Sequence, residues 1–396
     1  MAYLRDRRAF GNIGTRKFRG ARFGDPLSPR FSGLLDQYGG AAAAYSLRAL
    51  SSGWVAGDVV EVRPSSGWTP ASFTAGQVAN GEMVDYVKRP GNFTNNGFET
   101  FANNGTGDGF TATNTVSIGF ISASVVAGVS TNVVTIDFDI DIVSGSPALA
   151  LRSGATASSA FSVISTSGSK SIPLTATGSF DNFAFSEGDI PSEFTISNVR
   201  FSTADGFVST WYDQSGNASD AAQATTTAQP KIVSAGALVV GGLDFDGVDD
   251  LLSNGSLTLG ATVTGYTVTN STAKINSSYI FSINGTSGIV DFTDISEFAS
   301  IYSGTSLKAS TDISGSAVLK SSLFNGASSN VRVNGSSVAT GNSGAQLANG
   351  TLVIGGGGSA SDRMLGTINE IIIYGSNQSA NTAGIETNIN AAYSIF

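Results

Sequence analysis

Four aspartates stand within seven residues, at Asp244, Asp246, Asp249 and Asp250. Asp246, Asp249 and Asp250 are candidate ligands for calcium, which takes about six to eight oxygens. Their spacing lacks the EF-hand order, and a solvated strand face followed by a turn explains the same residues. Calcium is the one cofactor the sequence points to. Glu370, with Asp246 or Asp249, offers the carboxyl pair of a glycoside hydrolase. Such a pair stands about 5–5.5 Å apart for retention and about 6.5–9.5 Å for inversion. Trp54, Trp68, Tyr302 and the run Trp211, Tyr212, Asp213 offer apolar ring faces beside a hydrogen-bonding group. That combination suits sugar rings. The competing reading packs Trp211 and Tyr212 into a core, with Asp213 and Asn217 bracing a turn. His and Cys are both 0. Disulfides, Cys/His zinc sites, Ser-His-Asp triads and cysteine nucleophiles are therefore excluded.

The elements that must position these groups read as β. Of 396 residues, 13% are charged and 49 are Gly, a composition of sheets joined by polar turns. No run of about 18 apolar residues is present, so no membrane insertion is expected. VVTIDFDIDIV (133–143) alternates Ile136, Phe138, Ile140 and Ile142 against Asp137, Asp139 and Asp141. That strand has one buried and one solvated face, or is an edge guarded by charge. EFTISNVRF (193–201) is another strand, and about eight such strands over 91–200 predict a self-contained jelly roll. DVVEVRP is a strand stopped by Pro64, and NGEMVDYVKRP holds one or two helical turns ended by Pro90. From 201 onward short strands recur, with Asn334-Gly335 marking a tight hairpin. Ala41–Leu50 is predicted helical from its alanine run. SANTAGIETNINAAYSIF predicts a closing helix with Ile385, Ile389, Ala392 and Phe396 on one face.

Charge is divided unevenly. Residues 1–30 hold Arg5, Arg7, Arg8, Arg16, Lys17, Arg19, Arg22 and Arg30 against Asp6 and Asp25, a net +6, while the remainder carries −15. Phe10, Phe18 and Phe23 punctuate this arm. It reads as a disordered cationic tail, a nucleic-acid binder or an assembly arm that docks on an acidic protein surface. The third is preferred, because an acidic body repels a polyanion, and nucleic acid is not expected as a partner. MAYLRDRRAFGN lacks the apolar region of a signal peptide.

FVSTWYDQSGNASDAAQ (207–223), QPKIV (229–233) and GGLDFDGVDDLL (241–252) resemble, in order, concanavalin A-like lectin/glucanase domains of the LamG type. The VRVNG hairpin, TLVIGGGG and GTINEIIIY with the terminal helix continue the pattern. AAYSLRALSSG (43–53) with WYDQSGN (211–217) is similar to the catalytic module of fungal arabinofuranosidases of the B type. The pattern places these motifs a few dozen residues apart; here about 150 intervene, so 91–200 reads as an insertion. The resemblance implies an all-β chain of two antiparallel sandwiches. Residues 34–90 and 201–396 would form a discontinuous concanavalin A-like jelly roll, and the insert would resemble carbohydrate-binding jelly rolls. The arrangement behind a basic arm (1–33) is similar to bacteriophage tail-fibre and head-fibre proteins. It implies a virion location, docking to other virion proteins, binding of host-surface polysaccharide and, by analogy, a homotrimer. The arabinofuranosidase pattern places an acid shortly after the closing strand, yet 371–385 contains none. The chain is accordingly expected not to be an enzyme. A capsid decoration protein without sugar affinity and a carboxylate-dependent glycosidase are the rival expectations.

Overall fold

The closing strand, Leu365–Tyr374, is rich in isoleucine, and Ile371, Ile372, Ile373 and Tyr374 are wholly buried. β-branched side chains suit a strand covered on both faces. It pairs antiparallel with Ala41–Ser46 on one side and with Val263–Ser271 on the other, so that Ile372 stands between Ala44 and Tyr266. Its first half also pairs with Leu243–Asp246. In this computed structural model the description covers residues 32–396, apart from 92–93, 97–99, 107, 115–118, 125–132, 146–148, 154–161, 176–181, 188–191, 273–276, 347 and 358. The arm residues Arg5, Arg7, Arg8, Phe10, Arg16, Lys17, Phe18, Arg19, Arg22 and Phe23 lie outside the described residues.

The all-β expectation is met. Strands from 41–74 and 206–374 hydrogen-bond into one barrel-like circuit. Asp58–Pro64, for example, pairs with Gly206–Trp211, across some 140 residues of sequence. Residues 94–201 supply two separate five-stranded antiparallel sheets. In one of them Val133–Gly145 is flanked by Gly168–Thr175 and Ser192–Phe201. It is therefore an interior strand, which removes the guarded-edge reading of its aspartates. Ile136, Phe138 and Ile140 are buried while Asp137 and Asp141 are exposed. The Asn334-Gly335 hairpin joins Val333 to Ser336 with φ of 48° and 78°, the positive pair of a type I′ turn. No helix among the described residues is long and apolar enough to cross a membrane.

Two expectations fail here. Ala41–Ser46 is a strand, not part of a helix. Ala43 and Tyr45 face the main core while Ala41 and Ala44 lie under the terminal helix. Small side chains thus fit a strand squeezed between two layers, and packing overrides alanine's helix propensity. The terminal helix, Thr382–Tyr393, buries Ile385 and Ile389 as expected, but Ala392 and Phe396 are exposed. Ser394 turns the chain at φ 52°, and the Asn390 carboxamide oxygen accepts from the Ile395 and Phe396 amides. The helical face stops there.

Gly242 sits at φ 99°, and a Cβ there would lie 2.3 Å from the Ile368 carbonyl oxygen; Gly216 sits at φ 88° with open space around it. Gly242→Ala should therefore cost more than about 2 kcal/mol, and Gly216→Ala only about 1 kcal/mol. Urea titrations of the two variants check this, and equal costs would contradict the register given for the closing strand.

Candidate functional site

The residues singled out by sequence do not converge. Trp211 is fully buried against Tyr45, with ring centroids 5.7 Å apart. It cannot stack on a sugar at the surface, because its strand alternates into the core. Tyr212 is half-buried and its hydroxyl bonds Ser72 Oγ at 2.8 Å. Asp213 is 1% exposed. Its carboxylate accepts from the amides of Ala44, Ser215 and Ser219 at 2.8, 2.9 and 3.1 Å, and from Ser215 Oγ at 2.7 Å. It is a brace with no free lone pair aimed outward. Gln214 continues the seam: its oxygen accepts from Leu50 N, and its amide donates to the carbonyls of Ser46 and Arg48. The motifs at 43–53 and 211–217 are thus stitched directly together. Trp54 is half-buried over Gly57 and donates to the Asp58 carbonyl at 3.0 Å. Tyr302 ends the strand Phe298–Tyr302, opposite Val290 and Ser306.

Glu370, the candidate hydrolase carboxyl, is likewise enclosed. It is 1% exposed and accepts from Arg48 Nε and Nη2 at 2.8 and 2.9 Å, Ser46 Oγ at 2.8 Å and Tyr393 at 3.0 Å. A carboxylate enclosed and bonded in this way is not available to protonate a glycosidic oxygen. It anchors the turn after Ala41–Ser46 to the closing strand and the terminal helix.

Asp246, Asp249 and Asp250 do meet. One oxygen from each lies within 4.8 Å of the others. Asp246 Oδ1 accepts from the amides of Val248 and Asp249, and Asp250 Oδ2 from that of Asp246. Burial, reinforced by the neighbouring carboxylates against that amide bond, pushes the Asp250 carboxyl up to about 6. Asp244 stands apart, half-buried beside Lys231 in the pairing of the two strands.

The arrangement best suited to a polar ring-shaped ligand lies elsewhere, in a groove of about 370 Å³ lined by Phe73, Gln77, Asn80, Gly81, Glu82, Asp85, Tyr86 and Arg89. Two short helices build it. Ala75–Ala79 starts with a capping box, in which Thr74 Oγ1 accepts from Gln77 N and Gln77 Oε1 from Thr74 N. Asn80 and Gly81 (φ 86°) then turn the chain into Glu82–Val87. The Asn80 amide donates to Glu82 Oε1 at 2.6 Å. Tyr86 meets Phe73 edge-on at 5.4 Å, carries Arg89 over its ring at 5.4 Å and donates to the Thr69 carbonyl at 2.7 Å. Trp68, from the sequence-derived set, interacts with Tyr86 at the margin and packs on Gly91.

An ion network underlies this groove. Arg200 reaches Asp85 at 2.6 and 2.9 Å and Asp108 at 2.7 Å. Arg89 approaches Asp85 at 3.5 Å and Asp108 at 4.0 Å. Burial alone would raise the Asp85 and Asp108 carboxyls, but the hydrogen bonds and guanidinium charge outweigh it and hold both below their ordinary values. Glu82 is an exposed acid that pairs with no cation among the described residues. None of Gln77, Asn80, Glu82, Asp85 and Tyr86 was singled out from sequence. The turn signal Asn80-Gly81 between two amphipathic turns, and Asp85 four residues before Arg89, were the available cues.

No protein-family model matches the chain, and no curated protein matches it. Among solved structures it is similar to Trypanosoma rangeli sialidase, at 17% identity over 46% of this chain and 31% of that one, with a TM-score of 0.34. It is also similar to a GH54 α-L-arabinofuranosidase soaked with a cyclic sulfate inhibitor, at 14% identity over 64% and 63% of the two chains, with a TM-score of 0.36. A third is the CBM40 of Ruminococcus gnavus IT-sialidase bound to α2,3-sialyllactose, at 11% identity over 33% and 84%, with a TM-score of 0.28. The match spans about a third of the sialidase's length. The expectation that the chain is not an enzyme is overturned by this set, in which glycoside hydrolases stand beside a sugar-binding module, and it is withdrawn.

Asp250 gives a pH test. Its carboxyl titrates near 6 in the folded protein against 3.8 as a free side chain, so the folded state holds the proton more tightly. Stability from this group is full below about pH 4 and falls as the pH rises through 6. Asp250→Asn should raise the urea midpoint at pH 7.5 in the presence of chelator and leave it nearly unchanged at pH 4. A lower midpoint at pH 7.5 would contradict this.

Proposed function

We propose that the chain binds glycans through the groove formed by 73–89. The observation that carries this reading is the gathering of Tyr86, two side-chain amides and two carboxylates around one concavity. An aromatic ring supplies an apolar surface for a pyranose face, and planar amides and carboxylates hydrogen-bond vicinal hydroxyls in pairs. Because Arg200 neutralises Asp85, Glu82 is the lining carboxylate without a cation among the described residues, and an uncharged or amino sugar fits better than an acidic one. Calcium at Asp246, Asp249 and Asp250 would act as a stabiliser of the turn between strands, away from this groove's lining residues.

The finer reading is a phage fibre or adhesin. Residues 1–33, with eight basic side chains and spaced phenylalanines, would anchor the chain to acidic virion proteins. Many copies on one particle would convert weak single-site affinity into avidity for host polysaccharide. The lectin-like motifs at 207–252 and the charge division along the chain support this reading.

A glycan panel probed with the oligomerised full chain tests it. Saturable binding is expected to a neutral or amino-sugar class, weakened at least tenfold by Tyr86→Ala and several-fold by the exposed Glu82→Gln. Deleting residues 1–32 should abolish particle incorporation and leave that binding intact. Absence of binding with and without calcium, or binding indifferent to both substitutions, would sink the proposal.

A further inference from the structure

Lys320 and Asp291 are each 0% exposed, with Nζ and Oδ1 2.7 Å apart. The ammonium also donates to the carbonyls of Phe292 and Ser300, at 3.0 and 2.7 Å, so its three protons are all used. Desolvation lowers the Lys320 pKa, against the pull of Asp291. Among the described residues the other carboxylate oxygen, Asp291 Oδ2, has no partner. The same holds for the hydroxyls of Thr267, Thr269, Ser278, Thr293 and Ser322, all at most 1% exposed. Strand register spreads these groups along the strands on either side of the Lys320–Asp291 pair. Thr267 pairs with Lys320. Thr269 and Ser322 each lie two residues from that pair on the same face, in opposite directions along the antiparallel strands, Thr269 opposite Val318 and Ser322 opposite Gly265. Thr293 lies two residues beyond Asp291 and pairs with Ser278.

Buried hydroxyls almost always find a partner, because none compensates their lost hydration otherwise. We propose that this interior binds ordered water molecules strung along these strands, held by Asp291 Oδ2 and the hydroxyls of Thr267, Thr269, Ser278, Thr293 and Ser322. Water fits better than a cation. Lys320 already balances Asp291, and hydroxyls that both donate and accept match a molecule that does the same. These waters would let a charged pair sit between apolar layers without collapse of the strands around it. This site is separate from the groove at 73–89 and does not depend on its assignment.

Two measurements test it. Thr267→Val and Thr293→Val remove a hydroxyl at nearly constant shape. If each hydroxyl is bonded to water, each variant should lower the melting temperature by about 1–3 °C. A rise in both would show the hydroxyls to be dry and overturn the proposal. Where a variant does not fold, a high-resolution crystal structure of the full chain decides. Density at hydrogen-bond distance, about 2.6–3.2 Å from Asp291 Oδ2 and at least two of the hydroxyls, is expected. Side chains re-paired with one another, or a metal ion with oxygens at about 2.0–2.6 Å, would overturn it.

Discussion

The strand Leu365–Tyr374 is the constraint on which the rest depends. It is held between Ala41–Ser46, from the start of the described chain, and Val263–Ser271, from its middle. Closing these pairings costs loop entropy that grows only slowly with separation. The several hundred intervening residues are therefore tolerated once the isoleucine run is buried on both faces. One face supplies the main core. The other carries the terminal helix, where Ile385 and Ile389 pack with Tyr266, Ile372 and Tyr374. Without that covering helix a strand so apolar would be an aggregation surface.

Buried polar groups then fix the register that apolar contacts leave loose. Glu370 ties Arg48, Ser46 and Tyr393 to the closing strand, and Asp213 with Gln214 ties 211–217 to 41–50. Removing one partner of such a buried pair costs about 3–5 kcal/mol, since the remaining charge stays desolvated. These residues thus carry structural roles of the kind that sequence motifs also assign to chemistry. Their types match a carbohydrate-active site, but their hydrogen bonds are spent on the backbone.

This explains what was legible in the sequence and what was not. Period-two alternation identified the strands at 133–143 and 193–201, and the Asn334-Gly335 pair identified its hairpin, because local geometry alone decides them. Ala41–Ser46 was misread because its strand state is decided by two layers far away in sequence. The sequence left Trp211 and Asp213 open between a sugar-binding role and a packed, turn-bracing one, and only the strand's covered face decides for the second. The groove at 73–89 was overlooked for a related reason. Glu82 and Asp85 are ordinary helix residues until Arg200, 115 residues away from Asp85, neutralises one of them and so sets the two apart.

Arg200 also links that groove to the sheets of 94–201, through Asp108 and the turn that Asn104 and Thr106 complete. A ligand resting on Tyr86 would therefore stiffen helix Glu82–Val87 first and the Arg200 network next. Hydrogen–deuterium exchange of the full chain, with and without a saturating bound glycan, tests this most directly. The account predicts slower exchange concentrated in 74–89, with a smaller effect at 104–108 and 198–201. Protection centred on another segment, with 74–89 unchanged, would contradict the assignment of the site.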